Sequence, residues 1–326
     1  MLDVALQHRL IFVTGKGGVG KTSVALAIAL AASRARRRVL VVEVNPYGRI
    51  GEYLGGLTLT PEPTEIASNL AVAAIVPSVI MDELALRILR IRALARRLLE
   101  SHTFRVVAAA APGIEDFLTL VRIAGWESAR TGLQRRRHRF DLVIVDAPAT
   151  GHSVPLLATP GTLLTMLPFG PLASTARELA LLLNDGERTA IAMVTQAEEM
   201  AVNETLELAA ALARLGLTIL PPVVNAVSPL RFTREEARRL ATDPPDVPPT
   251  LLPYAAAGRF SLARQRGAER QIRRLGRALA TRPLCLSQVP AQGSTLSAIE
   301  RLADELTHAA SHRFRRRNAW RAWENA

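Results

Sequence analysis

The chain has 326 residues, 49% of them hydrophobic, with a mean hydropathy of +0.16, which is enough apolar material for one large α/β domain or two small ones. No apolar run reaches the ~18–20 residues that cross a bilayer, the stretch around Asn69–Met81 being cut by Pro77, and the opening MLDVALQHRL lacks the graded pattern of a secretory signal. The single cysteine, Cys285, excludes an intramolecular disulfide or a self-contained zinc ribbon and is expected in the core, so a soluble cytoplasmic protein is expected.

A net charge of +12 usually signals a nucleic-acid or membrane partner. Here only Lys16 and Lys21 are lysines, and the other 39 of the 41 basic residues are arginines, as a coding bias against lysine would produce. Both lysines lie in one glycine-rich loop. Their survival there argues for two compact ammonium groups where the planar fork of arginine does not fit around a phosphate.

In chain order, Leu10–Thr14 (LIFVT) reads as a buried strand entering GKGGVGKT at 15–22, and Ser23–Arg34 as an Ala/Leu-rich helix. Val39–Val44 is a second continuous apolar strand, broken by Pro46 and Gly48. Over Met81–Glu100, Ile80, Leu84, Ile88, Ile91, Leu94 and Leu98 recur at three- and four-residue steps among arginines, an amphipathic helix that either packs on the sheet or offers a client surface. A helical client or partner subregion is therefore expected at about 79–138. Phe140–Asp146, Thr189–Thr195 and Leu220–Val227 repeat the strand pattern, with a helix such as Glu204–Leu215 between them. Asp243–Pro253 holds five prolines and reads as a stiff surface connection, and a basic tail occupies about 311–326. The alternation predicts one α/β domain over 1–326, a doubly wound, mostly parallel sheet flanked by helices.

Gly15-x4-Gly20-Lys21-Thr22 matches the phosphate-binding P-loop between a strand and a helix. The backbone N–H groups of Gly15, Gly17, Gly18, Val19, Gly20 and Ser23 and the helix N-terminus would cradle phosphates of ATP. Lys21 would reach the β- and γ-phosphates, and the Thr22 hydroxyl would ligate Mg²⁺. The same letters contain Gly15-x-Gly17-x-x-Gly20, a dinucleotide fingerprint, with Glu43 placed as a ribose-binding acid. That rival needs neither lysine nor Thr22. Asp146, closing an apolar strand before APATGH, sits where a second acid holds the Mg²⁺ shell.

GKGGVGKT, with Lys16 directly after the first glycine, resembles the deviant Walker A loop of the MinD/ParA and arsenical-pump ATPases. DAPATGH at 146–152 resembles the switch II element of the arsenical pump-driving and tail-anchored-protein-targeting ATPase family. PGIED at 112–116, the Glu204–Thr205 pair after the strand at 189, VVNAV at 223–227 and Gln288-Val289-Pro290 match further elements of that family in order. The resemblance implies a deviant-Walker P-loop ATPase fold with Mg²⁺ and ATP sandwiched in a dimer, either a homodimer or a heterodimer with a paralogous ATPase. It also implies that Lys16 acts across the dimer interface on phosphates held by the other subunit, that Asn225 and Pro290 meet the adenine, and that Thr150–His152 sense the γ-phosphate. An unknown protein client would be handled by closure driven by hydrolysis.

Two departures from the family stand out. The family carries an acid after its second strand to position the attacking water, and this chain has Asn45; an amide orients water but accepts no proton. Glu43, two residues earlier, is placed to help through the metal shell. Slow hydrolysis, or ATP binding without useful hydrolysis beside a more active paralogue, is therefore expected. One cysteine also supplies neither the metalloid thiolates nor the shared zinc of the family's characterised members, and the interval from Thr150 to Thr189 leaves little room for a client insertion. A third reading keeps a ParA-like DNA or anionic-membrane contact through Arg135–Arg137 and the aromatic-arginine tail 313–323.

Overall fold

The computed structural model describes residues 2–44, 49–75, 113–131, 137–229, 232–241, 248–289 and 295–312. Its strands are β1 (Leu10–Thr14), β2 (Val39–Glu43), β3 (Thr64–Ala67), β4 (Leu70–Ala74), β5 (Arg130–Thr131), β6 (Arg137–His138), β7 (Leu142–Asp146), β8 (Thr189–Gln196), β9 (Val223–Val227) and β10 (Leu284–Ser287). Eight of them form one sheet in the order β10-β9-β8-β1-β7-β2-β4-β3. Every neighbouring pair is parallel except β3–β4. β5 and β6 make a separate antiparallel pair. β1, β2 and β7 are buried at every position, as strands covered on both faces must be.

Alternation along β1 sends Ile11 and Val13 to one face and Leu10 and Phe12 to the other. On the first face lie α1 (Leu2–Ala5), α2 (Lys21–Arg34) and α10 (Thr295–His312). α2 is apolar nearly all round because the sheet covers one side and Leu302, Ala303 and Leu306 of α10 cover the other. The opposite face carries α4 (Ile114–Ser128), α5 (Thr150–Met166), α6 (Pro171–Asn184) and α7 (Glu199–Arg214). The remaining helices are α3 (Arg49–Tyr53), α8 (Arg234–Ala241) and the long α9 (Leu252–Ala278). α9 buries Leu262, Ile272 and Leu275 and turns Arg266, Arg270, Arg273, Arg274 and Arg277 to solvent. No helix among the described residues is long and apolar enough to cross a membrane.

The doubly wound, mostly parallel architecture agrees with the sequence pattern, and several details differ. The helix expected from Glu204 begins at Glu199, and Pro221 and Pro222 stay outside β9, having no N–H to give a ladder. Leu252 and Pro253, expected in a loop, open α9, where a proline in the first turn loses no hydrogen bond. Cys285 is exposed, not in the core: β10 is an edge strand, and its alternation buries Leu286 instead. Of the expected client subregion, 113–131 holds α4, which packs Phe117, Leu120 and Ile123 on the sheet, while 79–112 and 132–136 lie outside the described residues. The tail from 313 onward lies outside them as well.

α4 is pinned by a buried charge. Glu127 is fully inaccessible and accepts from Arg9 Nε at 2.8 Å and from Arg188 Nη2 at 2.7 Å, which ties the helix to the amino ends of β1 and β8. Burial raises the Glu127 pKa, but the bonds to Arg188 and Arg9 outweigh it and leave the group below the ordinary 4.5. Removing one partner of a buried pair leaves the rest uncompensated. Glu127→Ala should therefore lower unfolding free energy in urea by roughly 3 kcal/mol, the low end for such a break because both arginines stay partly solvated. Because the folded pKa is depressed, the advantage of the native chain is complete at neutral pH and shrinks as the pH falls below 4.5. A constant difference between the two proteins from pH 7 to pH 3 would contradict this assignment.

Candidate functional site

The loop from Gly15 to Gly20 joins the central strand β1 to α2 at the carboxyl edge of the sheet. Two of its glycines are required by their surroundings. Gly15 has φ of 150°, and a Cβ there would sit 2.0 Å from the Val194 carbonyl oxygen of β8. Gly20 caps α2 in the left-handed region at φ 91°, and a Cβ there would lie 2.3 Å from Asn225 Nδ2. The Asn225 amide, at 9% exposure, donates to Val19 O at 2.9 Å, so β9 holds the back of the loop. Thr150 N donates to Gly15 O at 3.2 Å, and Thr14 Oγ1 donates to Ser153 Oγ at 2.8 Å, which fastens the start of α5 to the other side.

In front of the loop is a cavity of about 240 Å³ bordered by Gly17, Gly18, Gly20, Lys21, Thr22, Glu43, Arg49 and Asp146. Lys21 folds back over the loop and donates to Lys16 O at 3.1 Å. Burial lowers its pKa from 10.5, and the nearby Asp146 carboxylate pulls the other way. Thr22 Oγ1 donates to Asp146 Oδ2 at 2.6 Å. Burial pushes Asp146 up to about 6, against the opposing effects of the Thr22 bond and the Lys21 charge. Asp146 Oδ1 is buried without a hydrogen-bond partner. Glu43, in register with Asp146 on the next strand, accepts from Ile50 N at 3.3 Å through Oε1 and leaves Oε2 buried without a partner. Its pKa is also raised, chiefly by burial.

Lys16 turns away from the cavity: its Nζ lies 2.5 Å from Glu204 Oε1 of α7, with both side chains about one-third exposed. Ser23 donates to the Tyr53 hydroxyl at 3.3 Å. The structure thus gathers Gly15, Lys16, Gly17, Gly18, Val19, Gly20, Lys21, Thr22, Ser23, Asp146 and Asn225 around one loop. Asn45 and Pro290 lie outside the described residues. The sequence reading missed Arg49, whose charge reaches Lys21, Glu43 and Asp146, and the role of Glu204 as the partner of Lys16. Only the position of Arg49 four residues after Asn45 could have pointed to it.

Residues 8–175 match the model of the family described as anion-transporting ATPase. The chain belongs to that family. It is 29% identical over 240 residues to ATPase BagA of Mycobacterium tuberculosis, an alignment covering 72% of this chain and 69% of that protein. It is 27% identical over 244 residues to an arsenical pump-driving ATPase of Escherichia coli, covering 70% of this chain and 41% of the relative. A third relative, an arsenical pump-driving ATPase of Acidiphilium multivorum, is 25% identical over 244 residues, with 67% and 39% covered. Membership in this anion-transporting ATPase family supports nucleotide binding by the chain and favours ATP over the dinucleotide alternative.

The loop glycines should differ in tolerance. Gly18 has φ of 83° with open space around it, so Gly18→Ala carries conformational strain alone, about 1–2 kcal/mol. Gly15→Ala adds a collision with backbone that cannot swing aside. Urea unfolding should show Gly15→Ala as the more destabilised variant by at least ~1 kcal/mol. Equal loss in the two would mean that the packing of β8 against the loop does not constrain Gly15.

Proposed function

We propose that the chain is a Mg²⁺-dependent ATPase whose dimer opens and closes with ATP turnover to handle a protein client. The observation that carries this reading is the meeting of Thr22 and Asp146 at 2.6 Å beneath the phosphate loop, with Lys21 above it. In this reading the loop amides bind the phosphates, Lys21 neutralises charge on the β- and γ-phosphates, and Asp146 orients the Thr22 hydroxyl. The donor set fits Mg²⁺: a hydroxyl and carboxylate oxygens, some without partners, are hard ligands. No cluster of three or more His, Cys, Asp or Glu side chains able to hold a metal alone occurs among the described residues, and Mg²⁺ in nucleotide sites relies on few protein oxygens plus phosphate. When bound, the ion would neutralise charge developing on the phosphoryl oxygens.

Lys16 has a separate part in the proposal. Its bond to Glu204 keeps it out of its own cavity, and in the dimer it would exchange that carboxylate for phosphate held by the partner subunit. The partner is a second copy or a paralogous ATPase. The client is proposed to be other than an arsenical, since the chain has one cysteine and a metalloid needs several thiolates. Asn45 in place of an acid favours slow hydrolysis, and an ATP-dependent binding module is the reading that a phosphate-release assay distinguishes.

ATP with Mg²⁺ should raise the unfolding temperature, by the equivalent of about 2.7 kcal/mol at one hundred times its dissociation constant. NAD at the same concentration should leave it unchanged. Stabilisation by NAD alone would overturn the nucleotide assignment.

The two lysines should fail differently. Lys21→Ala should weaken ATP binding by a single chain, whereas Lys16→Ala should spare binding and abolish ATP-dependent dimer closure, read by light scattering. When Lys16→Ala chains are mixed with native ones, activity that falls only in proportion to dilution would remove the role across the interface.

A further inference from the structure

β2 and β7 run parallel and in register, so Glu43 and Asp146 stand side by side at their carboxyl ends with side chains on the same face. Glu43 is 2% exposed and Asp146 8% exposed, and both border the cavity in front of the phosphate loop. Each keeps one carboxylate oxygen that is buried and has no hydrogen-bond partner, Glu43 Oε2 and Asp146 Oδ1. Lys21 and Arg49 bring positive charge near them, but neither donates to these two oxygens, and the Lys21 ammonium donates to the Lys16 carbonyl at 3.1 Å. Two buried carboxylates that border one cavity, each with an oxygen lacking a partner, are strongly unfavourable unless a cation compensates both.

We propose that Glu43 is a second carboxylate, beside Asp146, for the divalent cation that accompanies the nucleotide. The inference rests on the ATPase reading above and extends it to a residue outside the loop and switch motifs. Mg²⁺ suits the place because it takes oxygen donors only and is satisfied by one or two carboxylates plus phosphate. Glu43 has a structural duty as well: Oε1 accepts the Ile50 N–H that opens the α3 backbone, at a long 3.3 Å. Glutamine can keep that bond through its own carbonyl oxygen while losing the charge. Glu43→Gln therefore separates metal binding from local structure. The sequence adds a reason for the assignment: with Asn45 as an amide, Glu43 is the acid that remains at this end of β2. Glu43 is a positioning residue in this role, holding the cation rather than attacking phosphate.

The test compares full-length native protein with Glu43→Gln, using adenylyl imidodiphosphate as the probe and measuring its dissociation constant in excess EDTA and across a Mg²⁺ titration. In EDTA the variant should bind the probe as tightly as the native chain or more tightly, since a negative charge has left the phosphate cavity. The Mg²⁺ concentration for half-maximal tightening should rise roughly 10–100-fold, as when a residue supporting a metal site is lost. Mn²⁺ in place of Mg²⁺, followed by electron paramagnetic resonance, should show the same weakening with no turnover required. Glu43→Asp, which keeps the charge with a shorter reach, should give a smaller shift, and it supplies the comparison if the glutamine variant does not fold. An unchanged Mg²⁺ midpoint in a folded variant overturns the inference, as does equal weakening with and without metal. If native protein binds no adenine nucleotide in either condition, the ATPase reading falls and this inference with it; native binding with variants indistinguishable from it removes this inference alone.

Discussion

The in-register pairing of β1, β7 and β2 sets Val13, Asp146 and Glu43 next to one another at one edge of the sheet. Everything chemical in the molecule depends on that alignment. A parallel sheet directs all its strand ends the same way, so the loop after β1 and the acids ending β7 and β2 emerge together although they are far apart in sequence. A slip of one residue in β7 would turn Asp146 to the other face, towards α5, and leave Thr22 without its acceptor. The apolar side chains of these strands fix the register by filling both faces of the sheet.

The site itself is held against its own electrostatic preference. Asp146 and Glu43 are carboxylates that burial drives towards protonation, and burial drives Lys21 towards the neutral amine. None of the three charged forms is fully compensated by its neighbours among the described residues. The surrounding core supplies the stability that they do not: α2 is packed on nearly every side, and Gly15, Gly20 and Asn225 lock the loop to β8 and β9. A polyphosphate with a divalent cation, the ligand proposed above, would bring both missing charges at once and relieve the strain that the fold maintains.

Much of this was legible in the letters. The loop could be read because glycines at fixed offsets, with two lysines in an otherwise lysine-free chain, suit a phosphate site and little else. The central strands could be read because burial on both faces produces unbroken apolar runs. What escaped was mostly spatial. Nothing local announces that Gly15 lies against Val194, that Asn225 donates to the Val19 carbonyl, or that Lys16 meets Glu204. β3 and β4 escaped because Thr64–Ala67 is largely exposed and Leu70–Ala74 gains its strand character from pairing with β2. α9 escaped because its 27 residues are mostly polar and arginine-rich and bury only Leu262, Ile272 and Leu275, so little apolar content marked it out beside the proline-rich stretch that precedes it. Cys285 was assigned to the core from its residue type, whereas its place on an edge strand decides its exposure.

The order in which the chain is made runs against the order in which this sheet can be completed. β1 and the loop after it are made before the elements that flank them: the neighbours of β1 are β7 and β8, ending at Asp146 and Gln196, and α2 is covered by α10 from Thr295 onward. At roughly 5–20 residues per second, some 300 residues of synthesis take about 15–60 s. Until α10 emerges, α2 lacks the cover that Leu302, Ala303 and Leu306 give it in the finished fold, whereas β1 can pair as soon as β7 and β8 have been made. The loop after β1 is therefore made well before β8 and β9, whose Val194 and Asn225 hold it, so its geometry is completed by residues that emerge much later than the glycines themselves.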